Sequence, residues 1–325
     1  MAHHSSQQQA TRFFTGRPHV GTPQRPIQGG AAWRGADVRA AGDHRYLLSP
    51  SEVDDIELAL DYTMRCERKT IDLSAADLPL GPLAARIAEW RTELLDGRGF
   101  VVISGVPVAR WSSARAERFF WAFGQHLGVP GLQNPQGDLL GHVVDTGDVA
   151  NDPLVRLYRT KSAIRFHCDG ADVVGLLCLD NATSGGASRI ASSVTVFNDL
   201  LARDPRIAAR LFAPLQLDRR NEEKPGEKPY SWIQPACFDG IRLRTFYHSD
   251  YYRSVSRHIG ALADDVRALL DSYDAIAEHE DIRLDMQLAP GDIQLLSNHT
   301  IVHARTAFED GAEQKRHLLR LWLSM

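Results

Sequence analysis

The second half of the chain is a series of short β-type runs separated by turn residues, and this pattern limits the fold most. The runs are LVRLYRT, VVGLLCL, SRIASSVTV, IRLRTFY, DIQLLSN and HLLRLWL. Helical stretches interrupt them near FNDLLARDPRIAARLF and ADDVRALLDSYDAI, but alternating strand–helix–strand units are absent. The series predicts a mainly β fold with flanking helices, either an antiparallel barrel or a jelly roll.

Residues 48–130 are predicted to be mostly helical, with three amphipathic helices around one strand. In LSPSEVDDIELALDY, Ser49 is expected to cap a helix, Pro50 to take its first position and Glu52 to complete a capping box. A second helix, LGPLAARIAEWRTELLDGRG, precedes the buried strand FVVISGV, and a third is expected in SSARAERFFWAFGQHLG.

We expect one domain over residues 31–325, with its jelly-roll core over about 131–325, because no stretch after residue 45 resembles a linker. Residues 1–30 are predicted to be a flexible leader, since GTPQRPIQGG is rich in Pro and Gly. The alternative is an organelle transit peptide, because residues 1–36 contain Arg but neither Asp nor Glu.

The amino-acid composition of the chain argues against some classes of binding partner. The chain has 325 residues, a net charge of -4 and no long basic run, so nucleic acid is not an expected partner. The four cysteines form no Cys-x-x-Cys pair, which favours a reducing, cytoplasmic location. No apolar run is long enough to cross a bilayer. A small molecule is the expected partner, and association into a homo-oligomer stays open.

His167 and Asp169 interrupt the apolar stretch AIRFHCDGADVVGLLCL. Positions i and i+2 of a strand point to the same face, so the pair offers a nitrogen and a carboxylate oxygen to one point. A second His on a facing strand would complete a set that suits non-haem Fe(II). The pattern alone is weak, because a hydrogen-bonded structural pair is the alternative and TFYHSDYYR repeats it at His248 and Asp250.

The C-terminal stretch PGDIQLLSNHTIVHARTAFEDGAEQKRHLLRLWL adds three ordered residues: His303, then Arg316 thirteen residues later, then Arg320. Together with His167 and Asp169, and with the stretches DGRGFVVISGVP and PGDIQLLSNHTIVHARTAFE, this order resembles one family. It is the taurine dioxygenase-like (TauD/TfdA) family of Fe(II)- and 2-oxoglutarate-dependent dioxygenases. Several motifs in the same order are specific, whereas any one of them alone is not.

The resemblance implies a double-stranded β-helix, that is, a jelly roll, with helices packed outside it. It implies that His167, Asp169 and His303 bind Fe(II). It also implies that Arg316 holds the distal carboxylate of 2-oxoglutarate, a role that suits a planar and always-charged guanidinium.

Other residues near these motifs receive less specific roles. Ser188 of SGGAS would supply a hydroxyl to 2-oxoglutarate, at a position where many relatives have Thr. Arg320 would contact the co-substrate or the substrate, and a structural salt bridge is its alternative. His299 is expected to pack beside the site without binding iron, and Cys168 to lie in the core.

The implied activity is oxidation of a small organic metabolite by hydroxylation, desaturation or cyclisation, with O₂ consumed and succinate and CO₂ released. Two alternatives stay open: a jelly-roll binding protein without catalysis, and a metal-dependent hydrolase on the same barrel. TFYHSDYYR is expected to face the substrate or, alternatively, to be an exposed β edge. Arg244, Arg320 and this Tyr-rich segment hint at an acidic or aromatic metabolite.

Overall fold

The computed structural model describes residues 3–148 and 155–325. The helices in these ranges are α1 (Ser6–Thr15), α2 (Gly35–Ala41), α3 (Pro50–Met64), α4 (Leu83–Asp96), α5 (Ser113–Leu127), α6 (Ser193–Arg203), α7 (Pro205–Ala209), α8 (Ser249–Ser254), α9 (Ser256–Ile259) and α10 (Asp264–Ala277). The strands are β1 (Arg45–Leu47), β2 (Phe100–Ser104), β3 (Val129–Pro130), β4 (Gly141–Val143), β5 (Ile164–His167), β6 (Val173–Asp180), β7 (Ser184–Gly185), β8 (Ser188–Ser192), β9 (Leu215–Asp218), β10 (Tyr230–Ile233), β11 (Ala236–Phe238), β12 (Leu243–Thr245), β13 (Arg283–Met286), β14 (Ile293–Ser297), β15 (Ile301–Arg305), β16 (Phe308–Glu309) and β17 (His317–Ser324).

Two sheets form the centre of the fold. The larger has the order β1-β2-β14-β6-β17-β3, with β4 also paired to β17. The smaller has the order β13-β8-β15-β5. Every pairing within them is antiparallel except that of β1 with β2. This is the predicted jelly roll with flanking helices.

Alternation along the strands sorts side chains into separate layers. Val101 and Ile103 of β2 join an apolar cluster with α3, α4 and α5, on the outer face of the larger sheet. Phe100 and Val102 point the other way, into a cluster shared with Ile190 of the smaller sheet. The smaller sheet turns its outer face to α6, α8 and α10. Residues facing the space between the sheets can therefore form an enclosed site.

The predicted helix starts are confirmed. Ser49 caps α3, Pro50 stands at its first turn, and Glu52 completes the capping box. The helix expected in SSARAERFFWAFGQHLG is α5, with Ser112 as its cap. Both caps satisfy backbone N–H groups that a helix start leaves without intrahelical partners.

Two predicted strands differ from the structure. LVRLYRT begins at Leu154, which lies outside the described residues, and Leu157–Arg159 is a short 3-10 helix rather than a strand. SRIASSVTV is a strand only as far as Ser192. There the Ser192 side chain accepts the N–H of Thr195 and starts α6, so a side-chain cap overrides the β-branched composition.

Within the predicted flexible leader over residues 1–30, the described residues include a helix, α1, that packs on the rest of the chain. A capping box at Ser5 starts α1, whose Phe13 is 1% exposed and stacks on His299. Buried Arg17 donates hydrogen bonds to the carbonyls of Gln234 and Pro235. The Pro- and Gly-rich composition lies after this helix, so it does not predict the conformation before it.

None of the helices in the described ranges is both long enough and apolar enough to cross a membrane.

Candidate active site

Three predicted ligands converge between the sheets. His303 on β15 pairs in register with His167 on β5, and their ring centroids lie 4.1 Å apart. Asp169 follows β5, and its Oδ2 lies 3.7 Å from Nε2 of His303. One ligand atom from each residue falls within 4.8 Å of the others. Among the described residues, this is the only group of three or more such side chains that could hold a metal ion.

The hydrogen bonds of the three residues leave the ligand atoms available. Nδ1 of His167 donates to the carbonyl of Arg165 at 2.9 Å, which turns Nε2 towards the site. Oδ2 of Asp169 is buried and has no hydrogen-bond partner among the described residues. A buried carboxylate oxygen without a partner is costly, and a cation in this position removes that cost. The residues therefore fit a divalent metal ion.

The protonation states also fit metal binding. Burial, and then the nearby His167, lower the pKa of His303 to about 3, so its ring is neutral at pH 7. Burial opposes ionisation of Asp169, but the adjacent His303 imidazole and the Arg320 guanidinium outweigh it and hold the pKa of that carboxyl below its ordinary value. A neutral imidazole and an ionised carboxylate are the forms that bind a metal.

The neighbouring His and Cys residues lie outside the cluster. His299 bonds to Oδ1 of Asp172 at 2.8 Å and stacks on Phe13, as expected for a packing residue. Cys168 is 1% exposed and lies in the apolar cluster behind the smaller sheet. Strand alternation explains this division, because Cys168 lies between two residues that face inwards.

Arg316 is buried next to a second arginine that the sequence analysis did not identify. The guanidinium carbon of Arg305 lies 4.7 Å from the ring centre of Phe308, and that of Arg316 lies 5.4 Å from the same centre. Burial lowers the pKa of both groups, that of Arg305 to about 9. Nη1 of each has no hydrogen-bond partner among the described residues. Two buried cations without a carboxylate partner fit an incoming carboxylate.

Ser188 pairs in register with Arg305, so the structure brings it towards the same region. Its hydroxyl donates to Oε1 of Gln294 at 2.9 Å. The oxygen keeps acceptor capacity, but its proton is already used. A role for Ser188 towards 2-oxoglutarate stays a prediction.

A cavity of about 800 Å³ opens onto the ligand cluster. His167, Asp169 and Arg320 lie on its wall, whereas Arg316 and Ser188 are not among its lining residues. Nε of Arg320 donates to Oε1 of Gln133 at 2.7 Å. Other residues on the cavity wall include Tyr158, Trp322, Arg156, Arg220 and Phe14.

The segment TFYHSDYYR is not an exposed β edge. Its second half lies in α8, and Tyr247 and Tyr252 are each 1% exposed. His248, Asp250 and Tyr251 line the cavity. The alternative in which the segment faces the substrate therefore agrees with its position.

A family model described as "Taurine catabolism dioxygenase TauD, TfdA family" matches residues 68–322. The chain belongs to this family. FR-33289 synthase of Streptomyces rubellomurinus is 30% identical over 309 residues, covering 93% of this chain and 91% of the relative. Membership, together with a ligand set that fits iron, makes the protein a non-haem iron oxygenase that uses 2-oxoglutarate and O₂. The predicted recognition, enzyme class and cofactors are confirmed.

Solved structures agree on the fold. Asparagine oxygenase in complex with Fe(II), 3-hydroxyasparagine and succinate superposes with a TM-score of 0.70 at 18% identity, over 86% of this chain and 93% of that chain. The non-haem iron oxygenase OrfP, in complex with Fe and alpha-ketoglutaric acid, gives a TM-score of 0.64 at 17% identity with the same coverage.

The residues that the sequence analysis missed had weak signals. Arg305 stands two residues after His303, so alternation along β15 would have placed it on the same inward face. Arg156 and Arg220 also line the cavity, but they lie in separate loops, and no sequence spacing relative to the ligand residues predicts their position. Arg244, which hinted at an acidic metabolite, instead pairs with Asp239.

Proposed function

We propose that His167, Asp169 and His303 hold Fe(II) in this enzyme and that the adjoining cavity binds the metabolite that is oxidised. The convergence of the three ligand atoms within 4.8 Å carries the proposal. The buried Oδ2 of Asp169, which lacks a partner among the described residues, supports it. With 2-oxoglutarate, bound Fe(II) supplies O₂ activation and C–H oxidation, with release of succinate and CO₂.

Arg316 and Arg305 hold the distal carboxylate of 2-oxoglutarate. Both guanidinium groups have nitrogens without partners, and both lie against Phe308. In a buried site a carboxylate gains charge-assisted hydrogen bonds that water weakens little. Ser188 lies beside Arg305 in the register of the sheet and contributes an acceptor or a reoriented hydroxyl.

Arg320 orients the substrate or the co-substrate at the mouth of the metal site. Its guanidinium carbon lies 4.3 Å from the ring centre of Tyr158, and Gln133 fixes its Nε. The substrate is a small organic molecule, because the cavity has a volume of about 800 Å³. The side chains of α1, including Phe14, cover part of that cavity and limit entry of water.

The test is a screen for succinate release with Fe(II), 2-oxoglutarate and O₂ over amino acids, sulfonates, aryloxy acids and specialised metabolites. At least one class should raise succinate above the substrate-free rate and yield a product that is hydroxylated, desaturated or cyclised. Product formed without O₂ would favour the hydrolase. Failure of every condition to decarboxylate 2-oxoglutarate would favour the binding protein.

A further inference from the structure

We propose that Arg220, in the loop that follows β9 and leads to β10, binds an anionic group of the substrate. The ligand class is a small organic oxyanion: a carboxylate, phosphate, phosphonate or sulfonate. The inference rests on the proposed function, because it names the class of molecule that the cavity accepts. Arg220 lies on the cavity wall, and it is separate from the cationic pair that we assign to 2-oxoglutarate.

The charges on this wall leave Arg220 available. It has no ion pair with any carboxylate of the described residues within 4.0 Å. Three carboxylates on this wall already pair with other arginines: Asp218 with Arg257, Glu222 with Arg156, and Asp250 with Arg165. Within the described residues, an oxyanion that enters the cavity therefore meets a guanidinium that has no carboxylate partner to displace.

The backbone of the loop at Arg220 has an unusual conformation. Arg220 and Asn221 have φ values of 57° and 62°, a region that residues other than glycine rarely occupy. The carboxylate of Asp218 fixes the turn, because Oδ1 accepts the N–H of Arg220 at 2.8 Å. Oδ2 accepts Nε of Arg257 at 2.8 Å and the hydroxyl of Ser254 at 2.7 Å. Strained backbone that the surroundings over-determine is typical of functional sites.

The side chain of Arg220 is also fixed in direction. Nη2 donates to the carbonyl of Val155 at 2.7 Å, and the guanidinium carbon lies 4.8 Å from the ring centre of Tyr251. The Tyr251 ring stacks on His248 at 3.6 Å, and the His248 ring lies 5.0 Å from that of His167. Nε and Nη1 of Arg220 make no hydrogen bond within the described residues, and either of them, together with the second N–H of Nη2, suits a two-pronged contact with an oxyanion.

The test is calorimetric titration of inorganic phosphate and of methylphosphonate into the protein loaded with Fe(II) and 2-oxoglutarate, without O₂. Arg220→Asn should weaken binding of these probes by roughly tenfold to a hundredfold, the effect of losing a charge-assisted hydrogen bond. Asn accepts positive φ more readily than Arg, so the turn is expected to fold. Arg210→Asn is the matched control, because Arg210 pairs with Asp265 outside the cavity.

Equal affinity in Arg220→Asn and the wild type would overturn the inference, and so would the absence of probe binding to the wild type. A similar loss in Arg210→Asn would overturn it too, because the effect would then follow net charge. Succinate formation by the wild type is measured separately. Its absence would count against the proposed function, whereas the titration alone decides the role of Arg220.

Discussion

Replacing Arg316 with Lys should weaken binding of 2-oxoglutarate and leave iron binding intact. Arg316 is 6% exposed, and its Nη1 has no hydrogen-bond partner among the described residues. A carboxylate that binds here gains contacts with a planar guanidinium already placed against Phe308. Lysine keeps the charge but offers a single ammonium group, which cannot reproduce a two-pronged contact.

The expected loss follows from the hydrogen bonds involved. A hydrogen bond to a charged group contributes about 1.5–3 kcal/mol, and the substitution removes one of two. The dissociation constant should therefore rise by roughly tenfold to 150-fold. Arg305 remains beside the same ring and retains part of the positive charge, which favours the lower end of this range.

The assay is calorimetric titration of 2-oxoglutarate into the iron-loaded protein without O₂, with iron content measured on the same samples. Arg210→Lys is the control, because its ion pair with Asp265 lies outside the cavity. Unchanged affinity in Arg316→Lys would refute the assigned role. Loss of iron would show that Arg316 supports the metal site instead.

Three further predictions concern stability and packing. Ser49→Ala removes the cap of α3 and should lower the free energy of unfolding by about 1 kcal/mol, measured by chemical denaturation; an unchanged midpoint would contradict the role of the cap. Phe13→Ala should release α1 and speed limited proteolysis near Gly16, while equal cleavage rates would show that Phe13 does not hold the helix. Burial opposes ionisation of Asp218, but its bonds with Arg257 hold the pKa of this carboxyl far below its ordinary value. The ionised carboxylate therefore stabilises the fold above about pH 4, and this contribution is lost as pH falls further. The difference in the free energy of unfolding between wild type and Asp218→Asn should become smaller in acid. A difference that does not change with pH would contradict this.

The fold and the convergence of His167, Asp169 and His303 could be predicted because their signals are local or ordered along the chain. The cap at Ser49 depends on residues three apart, and the helix forms as expected. His167 ends β5 and Asp169 follows it two positions later, while His303 lies in β15 directly opposite His167. The alternation of side chains along a strand therefore predicts which residues point into the space between the sheets.

The rest depends on contacts between distant segments. Phe13 is buried because its ring stacks on His299, which lies at the other end of the sequence. No local sequence pattern predicts a contact between residues so far apart. The conformation of Arg220 depends on Asp218 being fixed by Arg257 from another element. That residues 31–325 form a single domain remains a prediction.

Iron stoichiometry is the most direct test of whether His167, Asp169 and His303 bind Fe(II). Anaerobic titration of the metal-free protein should give one Fe(II) per chain, because the three ligand atoms of His167, Asp169 and His303 converge within 4.8 Å. Replacing any one of the three with Ala should abolish tight binding. His299→Ala should keep full stoichiometry, since His299 bonds to Asp172 and lies outside the cluster. Full iron binding by His303→Ala would contradict the assignment of His303 as an iron ligand.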